Sequence, residues 1–512
     1  MTEDAPPWAT PRPARRNARP THRAIFAVAR TGVLSTAALI AASTSAVADW
    51  TLSSSGTAGA IATDNVDLTP SGQQHSAIEP FIGGSFNLRG SGQYGNLAGD
   101  YQGLLLEQIG AGEPQTQPLS AGLVTGTGVL AKDWLFVDGY GSAERAVTAS
   151  NAAVSQNPGA ATSQQTSIET VGVSPYLRHS FDFGDAELRY RYQHLFLGGA
   201  TGDADRNQES GLFSREFAPN IKGSLEGEND ALTADNPGGL GSLYSTFGRA
   251  GLEEAIIRQF SLTQTAGWER NEIKTDSTIQ RPLWNVGFIA RPGPRTEIEA
   301  AWGQRYGRDN LYAQANYQIS TSAVAGARHV ETLESYSEDL LNRDIALGVD
   351  QQGNIIDTRT GVPASFGQAL PGVPTAVYSR RGVDNPGVFI IRSNDAYLDF
   401  PGANTNVLVG GYYDQLSPLT PTSLGEVNYG ARTRWVRTLA PATSLFLDGL
   451  YDRSRSSGAE GANTLAEQIG VAHGLPQSLT GTIAYSRADR FTGPSNERYR
   501  ENAILLSLSR PF

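Results

Sequence analysis

The sequence contains no cysteine, and its single methionine is Met1. The first absence excludes a secreted fold held by disulfides. Six scattered histidines add no set with the spacing of a zinc site. Charged residues make up 18%, below the roughly 25% usual in soluble domains. Long apolar runs are missing too. Outside one short stretch near the N-terminus, nothing approaches the roughly 20 apolar residues a spanning helix needs, and mean hydropathy is −0.31. What is present is glycine, 57 residues of it, and enough apolar side chains to build one non-polar face without ever running consecutively. A soluble all-β protein fits that description. So does a transmembrane barrel, whose strands alternate apolar-out and polar-in.

The N-terminus separates the two. Arg12, Arg15, Arg16, Arg19, Arg23 and Arg30 precede an apolar run of about 12 residues from Thr31 to Ala42, and Ala46-Val47-Ala48 follows as a small-x-small cleavage site. That run is too short to span a bilayer. The expectation is a signal peptide over 1–48, cut between Ala48 and Asp49. Without those residues, 34 basic side chains face 49 acidic ones, a net charge of −15 that argues against nucleic acid as a partner.

Segments of about ten residues with period-2 alternation recur along the rest. In Ala186–Phe196, one face reads Leu188, Tyr190, Tyr192, His194 and Phe196, and the other Glu187, Arg189, Arg191 and Gln193. Thr296–Gly303 and Leu311–Ile319 alternate in the same way, as do Leu97–Leu105 and Val427–Trp435. Tight turns such as Lys132-Asp133, Asp182–Asp185, Pro292–Pro294 and Leu439–Ala442 take turns with long connections near 148–165, 200–240, 336–385 and 488–499. Short turns at one end and long loops at the other are the habit of outer-membrane barrels. The expected fold is therefore all-β: a transmembrane antiparallel up-and-down barrel of about 18–20 strands over 49–512, with no plug domain ahead of it.

The chain ends with Ile504, Leu506, Leu508 and Phe512 on one face of a last strand. This resembles the signal read by the barrel-assembly machinery. Arg510 departs from the alternation and Pro511 suits a strand end. Together these features place the protein in a Gram-negative outer membrane, with membrane lipid, lipopolysaccharide and the assembly machinery as partners.

Several short stretches together resemble the outer-membrane β-barrel proteins of the PEP-CTERM/exosortase system, often linked to exopolysaccharide gene clusters. They are Thr63-Asp64-Asn65, Arg295-Thr296 with Trp302–Gly307, Ser335-Tyr336-Ser337-Glu338, and Tyr499-Arg500-Glu501-Asn502 leading to Phe512. A long insertion follows Glu338. The resemblance implies a barrel with a role in polysaccharide export or assembly, an export complex or exopolysaccharide as partner, and no catalytic residue.

By strand parity Arg178, Arg189, Arg191, Arg305, Arg432 and Arg434 face the lumen with Asp100, Asp182, Glu187, Glu297 and Glu299. Two readings follow. The charges are either structural cross-strand pairs or the lining of a hydrated pore for anionic or sugar-like solutes. The protein is accordingly a porin-like channel or export conduit, or else a structural or adhesive barrel with a closed lumen. Neighbouring His179 and Ser180 point to opposite faces of a strand and no G-x-S-x-G is present, so no enzyme, cofactor or metal site is expected. Glu226–Asp230 reads as a solvated acidic loop or a Ca²⁺ bridge to lipopolysaccharide.

Overall fold

The computed structural model describes residues 48–512 apart from 111–114, 149–151, 161–164, 198–201, 236–240, 275–276, 322, 346, 350–354, 358–386, 421–422, 458–459 and 495–496. The signal segment through Val47, with Ala46, and the expectation that no plug precedes the barrel both fall outside the described residues. The first described strand starts at Ala48, with Asp49 next in it.

Twenty-two antiparallel strands form one closed sheet. The first fifteen are β1 (Ala48–Thr63), β2 (Ala77–Gly92), β3 (Gly95–Gln108), β4 (Gln115–Ala131), β5 (Leu135–Val147), β6 (Gln165–Phe181), β7 (Gly184–Leu197), β8 (Ala204–Ala218), β9 (Ile221–Ala234), β10 (Leu243–Ile257), β11 (Phe260–Ile273), β12 (Ser277–Gly293), β13 (Thr296–Arg305), β14 (Arg308–Gln318) and β15 (Val324–Ser335). An excursion then carries helix α1 (Tyr336–Ile345) and a small hairpin of β16 (Leu347–Val349) and β17 (Ile355–Asp357). The wall resumes with β18 (Val388–Pro401), β19 (Thr405–Pro418), β20 (Glu426–Ala440), β21 (Thr443–Ser456), β22 (Ala462–Gly474), β23 (Thr480–Arg490) and β24 (Tyr499–Pro511). β15 pairs with β18, and the ring closes where Ser55–Thr63 of β1 meets Ala503–Pro511 of β24.

Period-2 alternation sorts every strand into two faces. Across β6–β11 one row reads Leu177, Leu188, Gly211, Gly227, Gly248 and Trp268, and the adjacent row Arg178, Glu187, Leu212, Glu226 and Arg249. The first row belongs to the outer face, where Leu52, Ile82, Leu188, Leu225, Val286, Ile483, Ile504, Leu506 and Leu508 all stand exposed. Exposed aromatics make two belts on that face. Trp50, Trp134, Phe183, Phe217, Tyr317 and Phe512 lie at the end with short turns, and Tyr192, Tyr244, Trp268, Trp302 and Tyr413 near the other. Along β7 the belts are the nine residues from Phe183 to Tyr192 apart, about 23 Å at the usual strand rise and tilt. That spacing matches the roughly 25 Å apolar band of an outer-membrane barrel. Among the described residues no helix is long and apolar enough to cross a membrane; the strands do so. The molecule is an outer-membrane-type β-barrel.

The ring is larger than the 18–20 strands expected, and the difference arises largely in residues 200–240, taken from the sequence as a loop. They form β8 and β9. Beyond Phe213, Phe217 and Leu225 near the short turn, their outer face offers Asn207, Glu209, Gly211, Gly227, Asn229 and Ala231, too little apolar bulk for the alternation to show. The inner face of β9 carries Glu226, Glu228 and Asp230. Residues 152–160 and 336–345, in two other expected loops, are ordered, and both fold inward.

The apolar core of the barrel is a stripe on the inner face. Phe446, Ala484, Leu505, Ile61, Phe81, Leu104 and Leu119 run in sequence around β21, β23, β24 and β1–β4. Charge gathers on the opposite wall, β5–β14.

Candidate functional site

Three inner rows of that charged wall set the chemistry of the lumen. Nearest the short-turn end, Arg178 pairs with Glu187 at 2.6 Å and Arg249 with Glu226 at 2.6 Å. One row higher, Arg189 reaches Asp138 at 2.6 Å and Glu187 at 2.9 Å, with its guanidinium 3.8 Å from the Tyr176 ring centre. Arg191 bonds to Gln208. Elsewhere Arg89 and Asp100 pair at 2.9 Å, Arg434 and Asp448 at 2.6 Å, and Glu297 and Arg291 at 2.8 Å. Glu299 stands opposite Gln314 in register, and Arg432 opposite Gly410. Arg305 lies 3.7 Å from Glu269 and over the rings of Phe247 and Tyr306. Apart from Asp182, the arginines and acids expected inside are thus on the inner face, most of them as cross-strand pairs. Asp182 sits in the exposed β6–β7 turn.

Exposure along these pairs varies widely, with Arg89 and Asp100 keeping 20% and 11%. Arg178, Arg291 and Glu297 keep 59%, 51% and 52% of their side-chain surface in solvent, whereas Arg206, near the long-loop end, keeps 3%. Two segments of the chain enter the lumen at that end.

The first is 152–160, between β5 and β6. It reaches across part of the mouth, past β1–β4, and rests on β22–β24, where Ala153 and Ala160 pack with Ala466, Ala488 and Tyr499. The Tyr499 hydroxyl accepts a hydrogen bond from the Val154 N–H (2.9 Å) and donates one to its carbonyl (2.8 Å). Arg490 donates to the Ala152 carbonyl, and Arg145 to that of Pro158 at 2.7 Å. Asn157 donates to Glu79 at 2.8 Å and to Glu501 at 3.1 Å, while Ser155 donates to the second oxygen of Glu501.

The second is α1. Ser335 caps it, its hydroxyl accepting from the Glu338 N–H at 3.2 Å, and Glu338 and Asp339 favour the positive end of the helix dipole. Tyr336, Leu340 and Leu341 bury against Ile168, Leu195, Leu197 and Leu232 of β6, β7 and β9. Arg206 fastens it, holding Asp230 with two nitrogens, Asn342 at 2.6 Å and Glu338 at 3.5 Å. Burial holds the Glu338 carboxyl well above the ordinary carboxylate range, with Arg206 pulling the other way.

Two of the short stretches that carried the family resemblance, Thr63–Asn65 and Tyr499–Asn502, meet beside the seat of 152–160. Thr63 donates to Glu501 at 2.8 Å. Asp64 accepts from the backbone and side chain of Asn502, both at 2.7 Å, and Asn65 donates to the Arg500 carbonyl at 2.9 Å. The two outermost motifs therefore stitch the β1–β24 seam. Tyr306, at the tip of the low β13–β14 hairpin, has φ +54° and packs with Leu243, Ile273, Leu333 and Ile390.

Glu226–Asp230 is a correction. It is neither a solvated loop nor a Ca²⁺ bridge: it lies on β9, with Glu226 on Arg249 and Asp230 on Arg206. The sequence reading also missed Arg206, Glu79, Asn157, Tyr499 and Glu501 as lumen residues. An Asn157-Pro158-Gly159 turn was the one visible signal of an ordered segment. At the other end, Ile504, Leu506, Leu508 and Phe512 are exposed on the outer face. His179 stacks on Trp134 at 3.8 Å. Among the described residues no group of three or more His, Cys, Asp or Glu is placed to hold a metal.

No family model matches the chain, and no curated protein does. Among solved structures it is similar to the siderophore receptor PirA from Acinetobacter baumannii, at 8% identity and TM-score 0.43 over 90% of this chain and 80% of that one. It is similar to the FrpB iron transporter from Neisseria meningitidis (F5-1 variant) at 10% identity and TM-score 0.44 over 91% and 83%. The ferric enterobactin receptor PfeA from Pseudomonas aeruginosa, as an R480A_Q482A mutant, gives 11% and 0.42 over 90% and 80%. Nothing about cargo transfers at this level of similarity.

Proposed function

We propose that the protein is a porin-like conduit of the outer membrane for small hydrophilic solutes, its mouth narrowed by 152–160 and α1. The exposure of three inner-face charges next to the short turns carries this reading. Arg178, Arg291 and Glu297 remain more than half exposed, and charges on an inner wall persist in that state only where water reaches them. Arginines alternating with acids suit solutes bearing carboxylate or hydroxyl groups, which accept the paired donors of a guanidinium. The family resemblance adds the cargo class: segments of an exopolysaccharide, with the insertions metering passage. The rival reading, a closed structural or adhesive barrel, draws on the same two insertions. Conductance in planar bilayers, with liposome swelling in neutral and acidic sugars, separates them. Stepwise conductance in the wild type supports the conduit. Its absence both in the wild type and in a variant with α1 released sinks it.

A further inference from the structure

The seat of the 152–160 segment contains two buried carboxyls and no bonded cation among the described residues. Glu79 is 0% exposed and Glu501 1%. The Asn157 amide lies between them and donates to both. Its orientation is fixed, because its oxygen accepts from the Gly159 N–H at 3.0 Å. Glu501 has further donors in Thr63 and Ser155. Glu79 Oε1 has none. It lies against Gly159, where a Cβ would come within 2.2 Å of it. Oε1 is thus packed against the Gly159 backbone, away from every donor of the segment.

The surrounding charged groups do not compensate. Arg145 of β5 is turned to the Pro158 carbonyl, and Arg490 of β23 to Ala152 and, at 3.6 Å, Glu497. Arg500 of β24 meets Asp489. The Tyr499 hydroxyl is committed to Val154. Asp64, beyond the end of β1, adds a third acid, itself bonded to Asn502. Glu144 of β5 has partners of its own.

We propose that Glu79 and Glu501 form a proton-held latch. The 152–160 segment stays seated while at least one of the two carboxyls keeps its proton, and it lifts when both ionise, widening the mouth. Two ionised carboxylates on one amide, out of water, repel each other and lose hydration, and one proton relieves both costs. The seated state therefore binds more protons than the lifted one, in which both acids meet water, so raising the pH favours lifting. The widening rests on the conduit reading; the movement does not.

The test is hydrogen exchange of the 152–160 amides in the full-length protein in lipid nanodiscs, at about pH 5 and about pH 8.5, a span covering the range into which burial moves carboxyls. Wild type and Glu79→Gln are compared at the same pH, so intrinsic exchange cancels. Glutamine mimics the protonated acid. At the higher pH the wild-type segment is expected to exchange about tenfold faster or more, the factor set by one pKa unit of linked proton binding. At the lower pH the two should match. Asn157→Ala, which removes the shared donor without touching the wall, should exchange fast at both. Equal protection of wild type and Glu79→Gln at the higher pH overturns the latch. If Glu79→Gln fails to assemble, Glu501→Gln takes its place under the same expectation. Conductance on the same samples keeps the two readings apart. Exchange that responds to pH in a protein that never conducts sinks the conduit and leaves the latch. Conductance with pH-flat exchange does the reverse.

Discussion

The segment 152–160 and the helix α1 enter the lumen from the same mouth, but opposite chemistry fastens them. α1 is held by a cation: Arg206 gathers Asp230, Glu338 and Asn342 beneath the helix, and an apolar face of Tyr336, Leu340 and Leu341 covers the cluster. The 152–160 segment packs only small apolar side chains, Ala153 and Ala160, on the wall. It is held by directed hydrogen bonds to Tyr499, Arg490, Arg145, Glu79 and Glu501. Ionising Glu338 places a charge beside a guanidinium; ionising both Glu79 and Glu501 places two like charges together. A cation-centred clamp therefore survives alkali that loosens a carboxyl-centred one.

The largest effect that would break this contrast is Arg206→Ala. It leaves Asp230 and Glu338 buried without their cation, at a cost of about 3–5 kcal/mol. Exchange across Tyr336–Leu341 should rise sharply while 152–160 keeps its protection; joint loss would show that the two insertions are one unit. Gly159→Ala should come next, at about 1–3 kcal/mol for a forced overlap. Its methyl would sit on Glu79 Oε1, so the segment should be unseated at every pH, read as exchange that no longer depends on pH. Tyr499→Phe strips the Val154 N–H and carbonyl of their partner, about 1–3 kcal/mol for buried backbone groups left unpaired. It should raise exchange of 152–160 without abolishing its pH response. The smallest is Arg434→Ala, whose pair with Asp448 is one-third exposed on the arginine side. Stability should change by less than about 1 kcal/mol, while the reversal potential in a salt gradient shifts toward cation preference. An unchanged potential would remove Arg434 from the permeation path.

Much of the wall was readable because alternation is local. The faces of β7, β13, β14 and β24 follow from residues two apart, and the charged candidates other than Asp182, which falls in a turn, are on the inner face. β8 and β9 escaped because glycine, asparagine and alanine fill much of their outer face, so period 2 leaves little hydrophobic trace. The mouth escaped for a different reason. Val154 meets Tyr499 345 positions away, Ser155 meets Glu501 346 away, and Arg206 meets Asn342 136 away. No local pattern encodes such partners. Thr63–Asn65 and Tyr499–Asn502 stood out as motifs, but only the closed ring shows that they bond to each other.

That closure has a consequence for how the molecule comes into being. The β1–β24 seam is short, Ser55–Thr63 against Ala503–Pro511, where the adjoining β1–β2 ladder runs the whole of Ala48–Thr63. Until the final strand docks, β1 carries a row of unmatched amides and carbonyls that hydrocarbon cannot solvate. The Asp64–Asn502 and Thr63–Glu501 bonds sit at the long-loop end of that seam, like a catch at the end of a zip. The ring is thus all-or-none: a half-built cylinder has no resting place in the bilayer, and its last thirteen-residue strand (Tyr499–Pro511) turns a reactive ribbon into an inert one.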